Sequence, residues 1–219
     1  MRANTKNSIR VHNPDDSVVG RWYRADMKQR DLFLMADAAL RDVIDMIERD
    51  QLGRPAPAEW SRKPNPTLRD IIAAHAYDEA WVPDVLAGRT AAEVGTRHDG
   101  DLLGEDPIAS YDEINDVATD AATRELNPAA IVHLSYGDFS TAEYLEHITT
   151  YRAFQAWSIA KLIGLDYSLP EPLVEGLWET LVPQIDGWRA MGVFGPEVEV
   201  PAGSDRETQL LGKVGYWVP

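Results

Sequence analysis

Apolar residues recur at helical spacing in several long segments, and this pattern limits the possible folds more than any other feature of the sequence. In residues 31–49, for example, Phe33, Ala36, Leu40 and Ile47 fall on one stripe of a helix. The segments with comparable stripes are 68–88, 143–164 and 170–192, and residues 108–126 are expected to form a shorter, more polar helix. Alternating strand patterns are almost absent. We therefore expect an all-α protein whose helices pack around one core.

Local signals refine this picture and divide the chain. Thr67 can cap the second helix together with Asp70, and Ser140 or Thr141 can cap the helix at 143–164. Pro83 and Pro183 are expected to kink the helices that contain them. Residues 1–26 are polar and are interpreted as an N-terminal arm, and residues 27–219 as a single helical domain. The stretch 129–139 is interpreted as a connecting loop rather than a sheet, and the Pro- and Gly-rich tail after residue 192 as a wrap around the helices.

Composition excludes several classes of function. The chain has 219 residues, with 36 acidic against 21 basic side chains, a formal net charge of −15. Such a charge repels phosphate backbones and anionic lipids, so neither a nucleic-acid nor a membrane partner is expected. Cysteine is absent, which excludes a disulfide framework and a thiol nucleophile, and any thiol chemistry would need an external thiol. The sequence has no apolar run typical of a signal peptide or membrane span, so a cytoplasmic location is expected.

The segment 143–164 carries most of the residues that indicate a ligand or metal site. At about 100° per residue, Tyr151, Gln155 and Ser158 fall on the inward stripe of this helix, where they are expected to line a pocket. His147 lies at the edge of the stripe and Glu143 on the solvent side. Ligand sites in helical bundles are built from such inward positions on facing helices.

Three residues are candidates for binding a metal ion. Glu143 and His147 are four positions apart, so they share one helical face, and His75 lies on the apolar stripe of a neighbouring helix. Each also has a simpler interpretation. Glu143 and His147 can be a surface acid and a hydrogen-bonded histidine, and His75 a core imidazole whose nitrogens are satisfied by hydrogen bonds.

Seven short motifs in order carry a resemblance to a known family: "GRPAPAEW", "TLRDIIAAH" followed by "VLAG", "GEDP", "YGDF", "AWSIAKLIG" and "VFGPEVEVP". In these the chain resembles the mycothiol-dependent maleylpyruvate isomerase N-terminal domains, which belong to the DinB-like metal-binding four-helix bundles of actinobacteria. The resemblance implies an up-and-down four-helix bundle, to which this chain is expected to add a C-terminal helix and irregular N- and C-terminal extensions. It also implies a divalent metal such as zinc or nickel, and mycothiol as cosubstrate.

The resemblance also assigns positions within the helices. His75 matches a metal ligand of the family, whereas Tyr151 and Gln155 stand where the family has an acidic residue and a histidine, and Ser158 where it has an aspartate. Neither tyrosine nor glutamine is a usual zinc ligand at neutral pH. We therefore expect a degraded metal site that binds a small molecule, with no catalysis established.

The alternative is an enzyme, an isomerase or transferase, in which a metal at His75, completed by His147 and Glu143 or by water, activates an external thiol. The metal-free binding site and the metal-dependent enzyme are distinguished by whether the protein holds a metal ion. A homodimer is compatible with the aromatic content of the chain.

Overall fold

The computed structural model describes residues 18–216, with side chains from Gln29 onward. It is mostly helical, which confirms the expected all-α class. The helices are α1 (Val18–Asp45), α2 (Leu68–Leu86), α3 (Ala91–Val94), α4 (Pro107–Thr123), α5 (Thr141–Ile163), α6 (Glu171–Thr180), α7 (Ile185–Ala190) and α8 (Arg206–Val214). Two short strands, β1 (Ile131–Leu134) and β2 (Gly137–Ser140), pair antiparallel just before α5.

The four longest helices form the body of the molecule. α1 packs mainly against α5, and α2 mainly against α4. Most of the buried side chains form one apolar core, to which α6 and α8 contribute Leu173, Leu177 and Leu210. A smaller cluster around Phe33 and Tyr144 fills the end of the body nearest the strands. The long helices thus place residues of α2 and α5 on facing sides of one interior.

The predicted helix starts have the expected caps. The Thr67 side chain accepts a hydrogen bond from the Asp70 backbone, and the Asp70 carboxylate accepts one from the Thr67 backbone, so α2 begins with a capping box. Ser140 and Glu143 form the same arrangement at the start of α5. Pro83 lies within α2 and is accommodated there, because α2 continues to Leu86.

The structure differs from the sequence-based expectation in four places. Residues 129–139 are not a loop, because 131–134 pair with 137–140 in a hairpin whose two-residue turn, 135–136, is followed by Gly137 at φ +147°. Pro183 breaks the fifth predicted helix into α6 and α7 instead of kinking it. α1 begins at Val18, within the segment interpreted as an arm, and residues 1–17 lie outside the described part. The tail contains a helix, α8.

α8 forms because its sequence has a local start signal and an apolar face. The Asp205 side chain accepts a hydrogen bond from the Thr208 backbone at 2.7 Å, which caps the helix. Leu210, Leu211 and Val214 are buried against the core. The prolines and glycines on either side of this short helix obscured it in the sequence, although the cap was visible.

Candidate functional site

A large cleft lies along one side of α5. Its volume is about 1220 Å³, and its walls come from α5, the turn at 57–60, the segment 188–194 and α8 with the residues that follow it. Eight aromatic side chains face this space, among them Trp60, Trp157, Tyr167, Trp188 and Tyr216. A cleft of this size with aromatic walls and a few polar groups is typical of a small-molecule site.

The three residues expected to line a pocket all line this cleft. Tyr151, Gln155 and Ser158 are spaced so that they project from one face of α5. Gln155 and Ser158 are buried, and Tyr151 is 39% exposed. Polar groups of α5 therefore form part of one wall of the cleft, beside aromatic side chains.

His75 lies behind this wall, at the interior face of α2. It is 1% exposed and its ring packs against Tyr151, with the ring centroids 4.9 Å apart and the planes inclined by 32°. Within the described residues, neither His75 Nε2 nor Gln155 Oε1 has a hydrogen-bond partner. The side chains of His75, Tyr151 and Gln155 thus meet at one place, and they leave one buried nitrogen and one buried oxygen unpaired.

The surroundings of His75 keep its imidazole neutral. Burial away from water, with a smaller effect of the positive charge on Arg152, lowers the pKa of His75 to about 3. Gln155 acts in the opposite direction, since its amide is near enough to favour the charged ring, although the contact lacks hydrogen-bond geometry. At neutral pH the ring can accept or donate a hydrogen bond but carries no charge.

His147 and Glu143 lie elsewhere on α5 and have other partners. His147 is half-buried, lines the cleft and packs edge-on against Trp188 and Phe139, and its Nδ1 lies 3.3 Å from the Tyr136 hydroxyl. Burial lowers the pKa of His147, so it too is neutral at pH 7. Glu143 Oε2 accepts hydrogen bonds from the backbone nitrogen and the hydroxyl of Ser140 at 2.8 and 2.7 Å. The Glu143 carboxylate therefore caps the helix.

The donor groups around His75 do not fit a three-ligand metal site. Its neighbours are the ring of a tyrosine, a neutral amide and the charged Arg152, whose positive charge opposes a second cation. In residues 29–216, no three histidine, aspartate or glutamate side chains are grouped so that they could hold a metal ion. His75, His147 and Glu143 are thus not brought together as one ligand set.

A buried ionic network, which the sequence analysis missed, lies in the interior beside His75. Arg152 of α5 is 2% exposed, and its Nε lies 2.7 Å from Glu79 Oε1 and 3.2 Å from Asp37 Oδ1. Thr119 donates a hydrogen bond to Asp37 at 2.7 Å, and Tyr111 donates one to Glu79 at 3.4 Å. Four helices, α1, α2, α4 and α5, are therefore joined by one polar cluster.

One guanidinium group faces two carboxylates in this network, and the surroundings of Glu79 favour its protonated form. Burial raises the pKa of Glu79 to about 8, and the nearby Asp37 carboxylate acts in the same direction, while Arg152 opposes both. Both terminal nitrogens of Arg152 lack partners among the described residues, as does Glu79 Oε2. In protein interiors, ordered water is the usual partner of such groups.

Comparison with known proteins adds no further information on the family. No protein-family model, no curated protein and no solved structure matches this chain. Within residues 18–216, none of the helices combines the length and apolar character required to cross a bilayer.

Proposed function

We propose that this chain is a DinB-like protein of the mycothiol-dependent maleylpyruvate isomerase type, an up-and-down four-helix bundle whose cleft binds a small molecule without a bound metal. The observation that carries the proposal is the aromatic cleft beside α5, with Tyr151, Gln155 and Ser158 on its wall. The aromatic rings supply apolar contact area, and the few polar groups on α5 fix the orientation of the ligand.

The chemistry around His75 also supports binding without a metal. The positive charge of Arg152 lies close enough to lower the pKa of His75, and among the described residues His75 belongs to no group of three acids or histidines, so a divalent cation is disfavoured there. A ligand that reaches past Tyr151 would instead meet an unpaired histidine nitrogen and an unpaired glutamine oxygen. Such groups favour a ligand with its own hydrogen-bonding atoms.

Titration calorimetry with two small aromatic probes, phenylbutanol and phenylbutylamine, tests this function. We expect at least one probe to bind the purified protein, equally well with and without a chelator. Tyr151→Ala should weaken that binding about five- to tenfold, because an aromatic wall contact is lost. Tyr77→Ala is the matched control, since Tyr77 is a similarly exposed tyrosine, at 43% against 39%, and lies outside the cleft.

Elemental analysis of the same preparations tests the alternative, in which a metal at His75 activates an external thiol such as mycothiol. About one equivalent of zinc or nickel in the wild type, lost in His75→Ala, would overturn the metal-free proposal in favour of a thiol-dependent isomerase or transferase. Absence of binding by both probes would overturn the assignment of the cleft as a ligand site.

A further inference from the structure

The charged side chains around the cleft are mostly acidic. Four carboxylates line it, those of Glu59, Asp166, Asp205 and Glu207, against the ammonium group of Lys161. His147 adds no positive charge, because burial lowers its pKa. Low-dielectric walls concentrate the field of such groups inside a cleft, so the potential there favours a cation and repels an anion.

The four carboxylates differ in whether they already have hydrogen-bond partners within the protein. Asp205 caps α8, and Glu207 Oε1 accepts a hydrogen bond from the Leu169 backbone at 2.8 Å, so both carboxylates stabilise the fold. Glu59 and Asp166 are exposed, and the described residues offer them neither an ion pair nor a hydrogen bond. These two acids are therefore available to a ligand.

The lysine of the cleft shows how a cation can be held there. Lys161 Nζ lies 5.6 Å from the centre of the Trp157 ring, in the range of a cation–π contact. Trp60, Tyr167 and Trp188 are half-buried aromatic residues on the same cleft. Their electron-rich faces can contact a second cation in the same way.

A further polar group points to a hydrogen-bond donor on the ligand. Gln155 is 5% exposed and lines the cleft, and its Oε1 has no partner among the described residues. A carboxylate on the ligand has only acceptors and could not satisfy this oxygen, whereas a ligand group with an N–H or O–H donor could. A metal ion fits less well than an organic cation, because no three acids or histidines in the described part converge on one point.

We propose, building on the ligand-binding function above, that the cleft selects an organic cation: a protonated amine attached to a flat or aliphatic apolar body. The apolar body lies against the aromatic walls, and the ammonium group faces Glu59 and Asp166 at the mouth. The overall charge of −15 adds to the preference by attracting cations to the protein surface.

The test compares three probes of nearly equal shape, phenylbutylamine, phenylbutanol and phenylbutanoate, by calorimetry at pH 7 and low salt. We expect the amine to bind about tenfold more tightly than the alcohol, and the carboxylate to bind most weakly. The preference for the amine should shrink as salt is added, because the acids at the mouth are exposed to solvent.

The double variant Glu59→Gln and Asp166→Asn should weaken binding of the amine about three- to tenfold and leave binding of the alcohol unchanged. Glu113→Gln is the control, since Glu113 is an exposed acid of α4 that lies outside the cleft. Equal binding of amine and alcohol, or an unchanged preference in the double variant, would overturn the cation proposal while leaving the ligand-binding function intact. If none of the three probes binds, both proposals fail.

Discussion

Arg152 is the residue on which the interior depends most. It is fully buried, lies against two carboxylates, and its guanidinium carbon is 4.8 Å from the centre of the Phe33 ring. Sequence patterning did not predict it, because an arginine near the edge of an apolar stripe is usually a surface residue. The prediction that His75 lies on the buried face was confirmed, because the apolar residues on the same stripe of α2 pack into the core.

Replacing Arg152 by methionine should lower the free energy of unfolding by about 3 to 5 kcal/mol, because Asp37 and Glu79 would remain buried without a positive charge. Urea denaturation of the purified variant measures the change. Arg206→Met is the matched control: Arg206 also pairs with an acid, Glu175, and lies over a ring, that of Trp178, but it is exposed.

The control should lose about 1 kcal/mol or less, because an exposed ion pair contributes little. Similar losses in the two variants would show that burial of the network has no energetic importance. If Arg152→Met does not fold, replacing Asp37 and Glu79 by apolar residues in the same chain should restore folding.

Among the elements, the helices that depend on local signals were the most predictable. α2 and α5 have strong caps and long stripes, and their starts matched the expectation at Thr67 and Ser140. The hairpin and α8 were missed because each is short, and because Val132 of the hairpin and Leu210 of α8 pack on residues distant in the sequence. The wall that α8 adds to the cleft was therefore not predictable from local pattern.

Docking of α8 depends on a glycine that allows close approach. A Cβ at Gly212 would lie 2.6 Å from Val200 Cγ1 and 2.8 Å from the backbone oxygen of Val198. Gly212→Ala should therefore push α8 outward, lower the free energy of unfolding by about 1 to 3 kcal/mol and weaken binding of the probes. Denaturation and calorimetry on one preparation measure both effects.

Gly187→Ala provides the control for that experiment. A Cβ at Gly187, in α7, would have no neighbour within 4 Å, so alanine should be neutral or stabilise by up to about 1 kcal/mol through its helix propensity. A Gly212 variant as stable as the wild type would mean that α8 can shift at no cost.

For the whole molecule, two buried groups with opposite pKa shifts determine how stability depends on pH. Glu79 has its pKa raised from 4.5 to about 8, so folding favours its protonated form. The stability that this preference contributes is lost as the pH rises from 4.5 to about 8. His75 has its pKa lowered from 6.5 to about 3, so folding favours its neutral form. The stability that this preference contributes is lost as the pH falls from 6.5 to about 3. Between 4.5 and 6.5 the two effects oppose each other.

We therefore expect stability to be nearly constant in the overlap of the two windows and to fall on both sides of it. Between about pH 6.5 and 8 the loss should be about 1 to 2 kcal/mol, measured by urea unfolding at a series of pH values. Glu79→Gln should remove the alkaline loss, because glutamine does not titrate, and should leave a rise in stability between about pH 4.5 and 6.5, where the His75 effect is then unopposed. A wild-type profile without that alkaline slope would contradict a protonated Glu79.

The walls of the cleft come from segments far apart along the chain, between Pro57 and Tyr216. The space they enclose exists only after all of these segments have docked, and no short fragment of the chain contains it. Occupancy and folding are consequently linked: a compound that fills the cleft binds only the native state and shifts the unfolding equilibrium by mass action. A rise in melting temperature can therefore identify the natural ligand in a compound library, because such a screen requires no turnover of a substrate.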